Sequence, residues 1–364
     1  MLVGEENYQT IWLKQEGWVQ VIDQRHLPFE FIIRDLRSLQ DTWWAIREMV
    51  VRGAPLIGVT ASFGIYLALM EDSCEARWQQ RLQSSAEHLR TARPTGVNLA
   101  YAIDRQLERL SEEATLEQAR KKALETARQL KEQEKENCRL IGEHGMPLIR
   151  DLAEKKNGEP VNILTHCNAG WLATVDHGTA TAPIYKAHDQ GIPVHVWVDE
   201  TRPRNQGARL TAWELEQHGV PYTVVADNTG GLLMQKGMVD MVIVGSDRTT
   251  ASGDVANKIG TYLKALAARD NNIPFYAALP LSTIDRNLTN GIRDIPIEQR
   301  NKEEVKYIEG YSEGRLRKVL LTPEKSHVAN YGFDVTPAAY VTSLITEKGV
   351  CKPNQQDIEK LFQS

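Results

Sequence analysis

The chain has 364 residues, 41% of them apolar and 25% charged, and carries a formal net charge of −5. That is enough chain for two domains with packed cores, and its slight acidity argues against a general nucleic-acid binder, whose footprint is a basic surface. No uninterrupted apolar run reaches the roughly 18–20 residues that cross a bilayer, and the start, Met1-Leu2-Val3-Gly4-Glu5-Glu6, lacks the pattern of a secretory leader. The expectation is a cytoplasmic protein with neither membrane nor nucleic acid among its partners.

Residues 1 to about 35 read as short strands and turns, with an alternating stretch at 18–23 that breaks at Leu27-Pro28. A helix is predicted over 39–51. Arg52-Gly53-Ala54-Pro55 interrupts it, and Pro55 suits the first turn of a new helix because its missing N–H would be unpaired there anyway. The apolar run 56–70 continues that helix, and its small residues suit close packing. Further helices are predicted over 74–90, ending at Arg93-Pro94-Thr95, and over 97–110. Residues 112–137 read as an amphipathic surface helix laced with ion pairs. Lys155 to Pro160 form a turn cluster.

Beyond residue 160 the rhythm changes. Strand-like runs at 161–165, 193–198, 222–226, 241–244 and 275–278 alternate with helical stretches, the signature of a parallel, doubly wound sheet. Residues 283–316 form a charged excursion, and such excursions are functional or interfacial. The expected fold is therefore α/β: a smaller, mostly helical N-terminal domain with short strands (1–145), then a Rossmann-like doubly wound parallel-sheet domain (146–364).

Cys167 and Asp247 each follow a short apolar run, in Cys167-Asn168-Ala169-Gly170 and in Gly245-Ser246-Asp247-Arg248. In such a sheet these positions are the carboxyl ends of strands, where ligands bind. Each is followed by a stretch that reads as the start of a helix, which would lower the thiol's pKa. A buried inert cysteine and an N-cap aspartate remain the alternative readings. The segment Gly253-Asp254-Val255-Ala256-Asn257-Lys258-Ile259-Gly260-Thr261 reads as an anion cradle leading into a helix. Arg52-Gly53-Ala54, Arg93-Pro94-Thr95 and the arginine-rich 200–209 could each hold phosphate, because guanidinium matches it as a fork. There is no GxGxxG, no GxxxxGK[ST] and no GxSxG motif. The four cysteines form no CxxC pair and the histidines no HExxH, so neither structural zinc nor a disulfide framework is expected. What remains is cofactor-free chemistry on a small phosphate ester.

From about residue 16 to 348 the chain resembles the methylthioribose-1-phosphate isomerase family, which also holds the α, β and δ subunits of eukaryotic initiation factor 2B. The resemblance is carried by Met49-Val50-Val51-Arg52-Gly53-Ala54-Pro55, Arg93-Pro94-Thr95, Thr165-His166-Cys167-Asn168-Ala169-Gly170, Glu200-Thr201-Arg202-Pro203 with Gln206-Gly207, Asp247-Arg248, 253–261 and Phe333-Asp334-Val335-Thr336-Pro337. It implies a homodimer that isomerises 5-methylthioribose 1-phosphate in methionine salvage, with no metal or cofactor. It also implies Asp247 as proton donor, and Cys167 as the group that stabilises the transition state or relays a proton. Substrate binding would fall to Arg52, Gly53, Ala54, Arg93, Gln206, Asn257 and Lys258. Gly96, Ser246, Ser252 and Tyr331-Gly332 depart from the usual pattern, which leaves the sugar's 5-substituent open: methylthio, deoxy or phosphate. A non-catalytic sugar-phosphate-binding subunit is the rival from another class.

An aldose 1-phosphate is locked as a ring, because its anomeric oxygen carries the phosphate. An enzyme must therefore break the bond from C1 to the ring oxygen, then move hydrogen from C2 to C1. An acid donating near neutral pH needs an elevated pKa, so Asp247 is expected in an apolar, water-poor pocket.

Overall fold

The computed structural model describes every residue except 16, 94, 95 and 364. Near its start β1 (Ile11–Leu13), β2 (Val19–Ile22) and β3 (Ile33–Leu36) pair as a three-stranded antiparallel sheet. Ser38 then accepts the Asp41 N–H and caps α1 (Leu39–Arg47). This helix stops short of the expected residue 51. Met49 takes a positive φ of 58°, and Val50 and Val51 turn inward to full burial.

The chain restarts as α2 (Ala54–Glu71), with Pro55 in its first turn. This helix is apolar around its circumference, and its mean hydropathy of 1.4 over 18 residues meets the length and composition of a membrane span. That corrects the expectation that no segment is long enough. The helix is nonetheless 78% buried inside the protein, enclosed by α1, α3 (Trp78–Arg90), α4 (Val97–Leu110) and α5 (Leu116–Ala153). An all-round apolar helix buried in this way is the core of its layer. Its small residues permit the contact: a Cβ at Gly58 would lie 2.9 Å from the Asn98 carbonyl. Helix α5 begins with a Thr115–Gln118 capping box and runs through Pro147 to Ala153, well past the expected end at 137. Its first half packs on α2 and α4, and its later turns pack on the sheet layer.

That layer contains β4 (Val161–Thr165), β5 (Val194–Asp199), β6 (Tyr222–Val225), β7 (Met241–Val244), β8 (Arg248–Thr250), β9 (Val255–Lys258), β10 (Phe275–Ala278), β11 (Phe333–Thr336), β12 (Ser343–Thr346) and β13 (Gly349–Cys351). The main sheet has seven strands in the order β13-β12-β10-β7-β4-β5-β6, all parallel except β13. Helices α6 (Ala182–Asp189), α7 (Ala212–His218), α8 (Gly230–Gln235) and α9 (Thr261–Asp270) connect its strands. The strands after β4 lie on one side of it, and the chain then crosses back to place β7 on the other. The crevice beyond the carboxyl ends of β4 and β7 is therefore the topological switch point, the usual ligand position of an open α/β sheet.

A small second sheet, Ile284–Asp285 with β8, β9 and β11, flanks that crevice. The excursion 283–316 holds short helices and a hairpin of Tyr307–Ser312 with Arg315–Leu320. The hairpin folds back on the N-terminal part, where Tyr311 stacks on Phe29 at 5.1 Å between ring centroids.

Phe63 on α2 is 1% exposed. Phe63→Ala should cost about 3–5 kcal/mol of unfolding free energy, read from urea denaturation. A loss below about 1 kcal/mol would show that α2 is not the core of the helical layer.

Candidate active site

Cys167 follows β4 and Asp247 follows β7, and both line one narrow cavity of about 90 Å³ at the switch point. Arg52, Gly53, Ala54, Arg93, Gln206, Asn257 and Lys258 line the same cavity. The two catalytic candidates and the seven substrate-binding candidates thus line one cavity, although they come from segments about 200 residues apart. Gly96 and Ser246, two of the departures from the family pattern, also line it. Ser252 instead bonds the Thr289 carbonyl at 2.7 Å, on the surface. Pro94 and Thr95 lie outside the described residues.

The local structure around the two chemical groups differs from expectation. No α-helix begins after Cys167: a 3₁₀ turn covers Trp171–Ala173, and α6 starts only at Ala182. The helix dipole is absent from the thiol, and a guanidinium stands there instead. Arg52 places Nη2 4.0 Å from Cys167 Sγ and 2.6 Å from the Asn168 carbonyl, while its Nη1 bonds the Asn168 side-chain oxygen. Cys167 itself has φ +67°, a conformation rare for a residue with a side chain. Its N–H donates to Thr201 Oγ1 at 2.8 Å, and its carbonyl accepts from Thr211 Oγ1 at 2.7 Å. These bonds fix an unusual backbone at the site, as strained functional residues require.

Asp247 caps no helix either. It leads into the β8–β9 hairpin, with its N–H on the Ala256 carbonyl at 2.9 Å. Burial pushes its carboxyl above the ordinary range, against the downward pull of Lys258, Arg93 and Arg52. The expected water-poor pocket is present in that sense, although its walls carry several cations. Burial also pulls the Lys258 amine down, opposed by Cys167 and Asp247. Lys258 Nζ is anchored on the Gly332 carbonyl at 3.1 Å and lies 4.9 Å from the Phe333 ring centroid.

The expected cradle at 253–261 is not an open helix end. Asp334 accepts the Gly260 N–H at 2.7 Å and the Tyr262 N–H at 3.1 Å, so its carboxylate already occupies the start of α9. Of that segment Ala256, Asn257 and Lys258 line the cavity, all from β9. The free helix end belongs to α2. Gly53 stands at its N-cap with φ +99° and no side-chain cap, beside the cavity. A Cβ there would lie 2.3 Å from the Ala173 carbonyl, so only glycine fits. Unpaired N–H groups at a helix start favour an anion.

The arginines of 200–209 are also turned away. Arg202 donates to the Val305 carbonyl at 3.0 Å, Arg204 pairs with Glu304 at 2.9 Å, and Arg209 bonds the Leu27 carbonyl at 3.0 Å. Of that segment Gln206 alone lines the cavity, and its Oε1 is buried without a protein partner.

The sequence reading missed Asn168, His166, Glu214 and Arg300. Asn168 and His166 flank Cys167 in the segment Thr165-His166-Cys167-Asn168-Ala169-Gly170. His166 contacts Asp199 at 2.8 Å through Nδ1 and the Ile259 carbonyl at 2.8 Å through Nε2, which ties the end of β4 to the segment after Lys258. Glu214 sits in an ordinary helical stretch and gives no signal in one sequence. Arg300 belongs to the excursion and lines the cavity, held by Glu304 at 3.1 Å and Glu298 at 3.2 Å. His166, Asp199 and Asp227 are, among the described residues, the group spaced for a metal ion. Lys264 Nζ lies 2.9 Å from Asp199 and bonds the Asp227 carbonyl, so an ammonium already supplies positive charge there.

The profile of the initiation factor 2 subunit family matches residues 50–353. Methylthioribose-1-phosphate isomerase of Desulfatibacillum aliphaticivorans is 55% identical over 364 residues, covering 100% of this chain and 99% of its own. The isomerase of that name from Rhodospirillum centenum is 56% identical over 364 residues, covering 100% of this chain and 96% of its own. Among solved structures, 5-methylthioribose 1-phosphate isomerase from Pyrococcus horikoshii is 38% identical with a TM-score of 0.83, covering 98% of this chain and 96% of its own. A structure described as translation initiation factor eIF-2B, subunit delta, from A. fulgidus is 37% identical with a TM-score of 0.80, covering 98% and 100%.

The raised Asp247 carboxyl has a consequence for stability. The folded protein holds that proton more tightly than the unfolded chain, so stability falls as pH rises from the unfolded pKa through the higher folded one. Asp247→Asn removes the buried charge. Its Tm should exceed that of the parent at pH 8, and the difference should narrow toward pH 4. A lower Tm for the variant at pH 8 would mean that the surrounding cations outweigh the burial.

Proposed function

The chain belongs to the initiation factor 2 subunit family, and we propose that within it this protein is the aldose–ketose isomerase that converts 5-methylthioribose 1-phosphate to 5-methylthioribulose 1-phosphate in methionine salvage. The observation that carries the reading is the meeting of Cys167 and Asp247 at the switch point, in a cavity lined by Arg52, Lys258 and the open end of α2. A regulatory subunit that only senses a sugar phosphate needs the anion cradle but not both chemical groups.

In this reading the phosphate rests against the start of α2 and the cationic side chains, and binding energy spent there orients the reacting carbons. Asp247, whose pKa burial raises, gives its proton to the ring oxygen as the bond from C1 to that oxygen breaks. Cys167 Sγ takes the proton from C2, and the electron pair left behind forms an enediol phosphate between C1 and C2. The Arg52 guanidinium lies 4.0 Å from the sulfur; a direct hydride shift, with Cys167 only shaping the charge distribution, is the competing route. Cys167 returns the proton to C1. The C2 hydroxyl gives up its proton to Asp247 and becomes the ketone, and both residues end as they began. No step requires a metal or an organic cofactor.

The 5-substituent is read from the walls. Met49, Ile57, Leu99, Ile295 and Phe333 give the cavity an apolar side. A larger neighbouring cavity shares Arg93 and Arg300 with it and holds more cations. Those cations are matched by carboxylates: Arg204 with Glu304, Arg209 with Glu309, Lys318 with Glu303. A 5-phosphate would meet that matched field, whereas a methylthio group needs only the apolar wall.

Cys167→Ser and Asp247→Asn should each lower kcat by at least about 10²-fold, or roughly 2.7 kcal/mol of barrier, and turnover in D₂O should place deuterium on C1 of the product. Near-normal kcat in either variant removes that residue from the chemistry, and a product free of deuterium favours hydride shift unless the shielded Cys167 returns the same proton. In a comparison of kcat/KM on the methylthio, deoxy and 5-phosphate sugars, the methylthio sugar should lead. A tenfold advantage for the bisphosphate would overturn the substrate assignment.

A further inference from the structure

Glu214 lies on α7, wholly buried, and does not itself line the cavity. Its carboxylate nevertheless holds the loop that carries Cys167. Oε1 accepts from Asn168 Nδ2 at 3.0 Å and from the Leu172 N–H at 2.8 Å. Oε2 accepts from the Trp171 N–H at 3.1 Å and from Tyr185 Oη at 2.9 Å. The fit leaves no room at the loop: a Cβ on Gly170 would lie 1.6 Å from Glu214 Oε2. Just before α7 the backbone forms a π turn over Gly207–Thr211, a distortion that often marks functional sites. Thr211 on that turn bonds both the Cys167 carbonyl and Asn168 Nδ2.

Asn168 is the link. Its amide nitrogen points to Thr211 and Glu214, which fixes the side-chain oxygen on the opposite side. That oxygen and the Asn168 carbonyl are the two groups that grip the Arg52 guanidinium beside Cys167 Sγ. If the amide were free to rotate, its nitrogen could face the guanidinium, and two donors would oppose each other.

We propose that Glu214 is a positioning residue for the isomerisation: by fixing the orientation of the Asn168 side chain it keeps the Arg52 guanidinium against the Cys167 sulfur. It acts through Asn168 and not on the substrate. The inference rests on the isomerase reading, which turnover of the methylthio sugar by the unaltered protein tests separately.

The test is a double-mutant cycle on the full-length protein, assayed with 5-methylthioribose 1-phosphate. Glu214→Gln sets an amide nitrogen among four donors and should lower kcat by about tenfold or more, with KM within about threefold, because phosphate contacts at α2 and Lys258 persist. Asn168→Ala should produce a comparable fall. The double variant should lose no more than about twofold beyond Asn168→Ala, the non-additivity expected of residues that act in series. Tyr185→Phe removes another hydrogen bond of the same carboxylate and should lower Tm while kcat stays within about threefold. Full additivity in the double variant overturns the proposal, as does a kcat for Glu214→Gln within about twofold of the parent. An equal kcat loss in Tyr185→Phe would reduce Glu214 to general packing. Should Glu214→Gln not fold, Glu214→Asp, which keeps the carboxyl but withdraws it from Asn168, enters the same cycle with the same deciding outcomes.

Discussion

Arg52 reaches from the segment before α2 to the loop after β4, and the cavity depends on that one reach. The helical layer and the sheet layer meet there through a charged side chain that grips Asn168 by two oxygens. The positive φ of Gly53 brings the start of α2 onto the Ala173 carbonyl. The open end of α2, the guanidinium and the thiol therefore fall within one cavity. A guanidinium that is 8% exposed as a residue is costly to bury unless its donors are matched. Asn168 matches them without charge, so the positive field stays directed at the cavity.

The same economy governs the far wall. Asp247, Lys258 and Arg93 share a volume from which water is largely excluded. Burial pushes the acid up and both bases down, and each charge partly offsets the cost of its neighbours. Burial exceeds the attraction at Asp247, which shifts the acid in the direction a proton donor needs. The direction of the Asp247 shift is set by burial, while Lys258 Nζ is held on the Gly332 carbonyl and 4.9 Å from the Phe333 ring centroid.

Much of this was legible in the chain. The apolar runs of β4 and β7 each end just before a polar group, and strand order then places both groups together. Arg52-Gly53-Ala54-Pro55 announced a helix start, and Pro55 fixed where. Other features could not be read because they depend on distant partners. Nothing near 253–261 says that Asp334, far along the chain, would occupy the end of α9. Nothing near 200–209 says that its arginines would turn to Glu304, Val305 and Leu27 while Gln206 alone turned inward. The helix after 112 overran its predicted end because its later turns gain the sheet layer as a partner, and packing there overrides a proline that would otherwise stop it. Helix α2 satisfied a membrane criterion for the same reason: only the surrounding helices distinguish a buried core helix from a span.

Fold alone does not decide chemistry in this family. Chains that share this architecture include ones described as isomerases and ones described as initiation-factor subunits, at similar identity to this protein. What separates catalysis from binding must lie in a few side chains at the switch point. An anion cradle built from a helix end, a guanidinium and a lysine serves either role. A thiol held at φ +67° and a carboxyl raised by burial are costly to maintain, and a protein that only bound a sugar phosphate would gain nothing from them. Their presence just past adjoining strands, with the thiol's loop braced from behind by a carboxyl that does not line the cavity, is the argument that this copy of the fold performs a reaction.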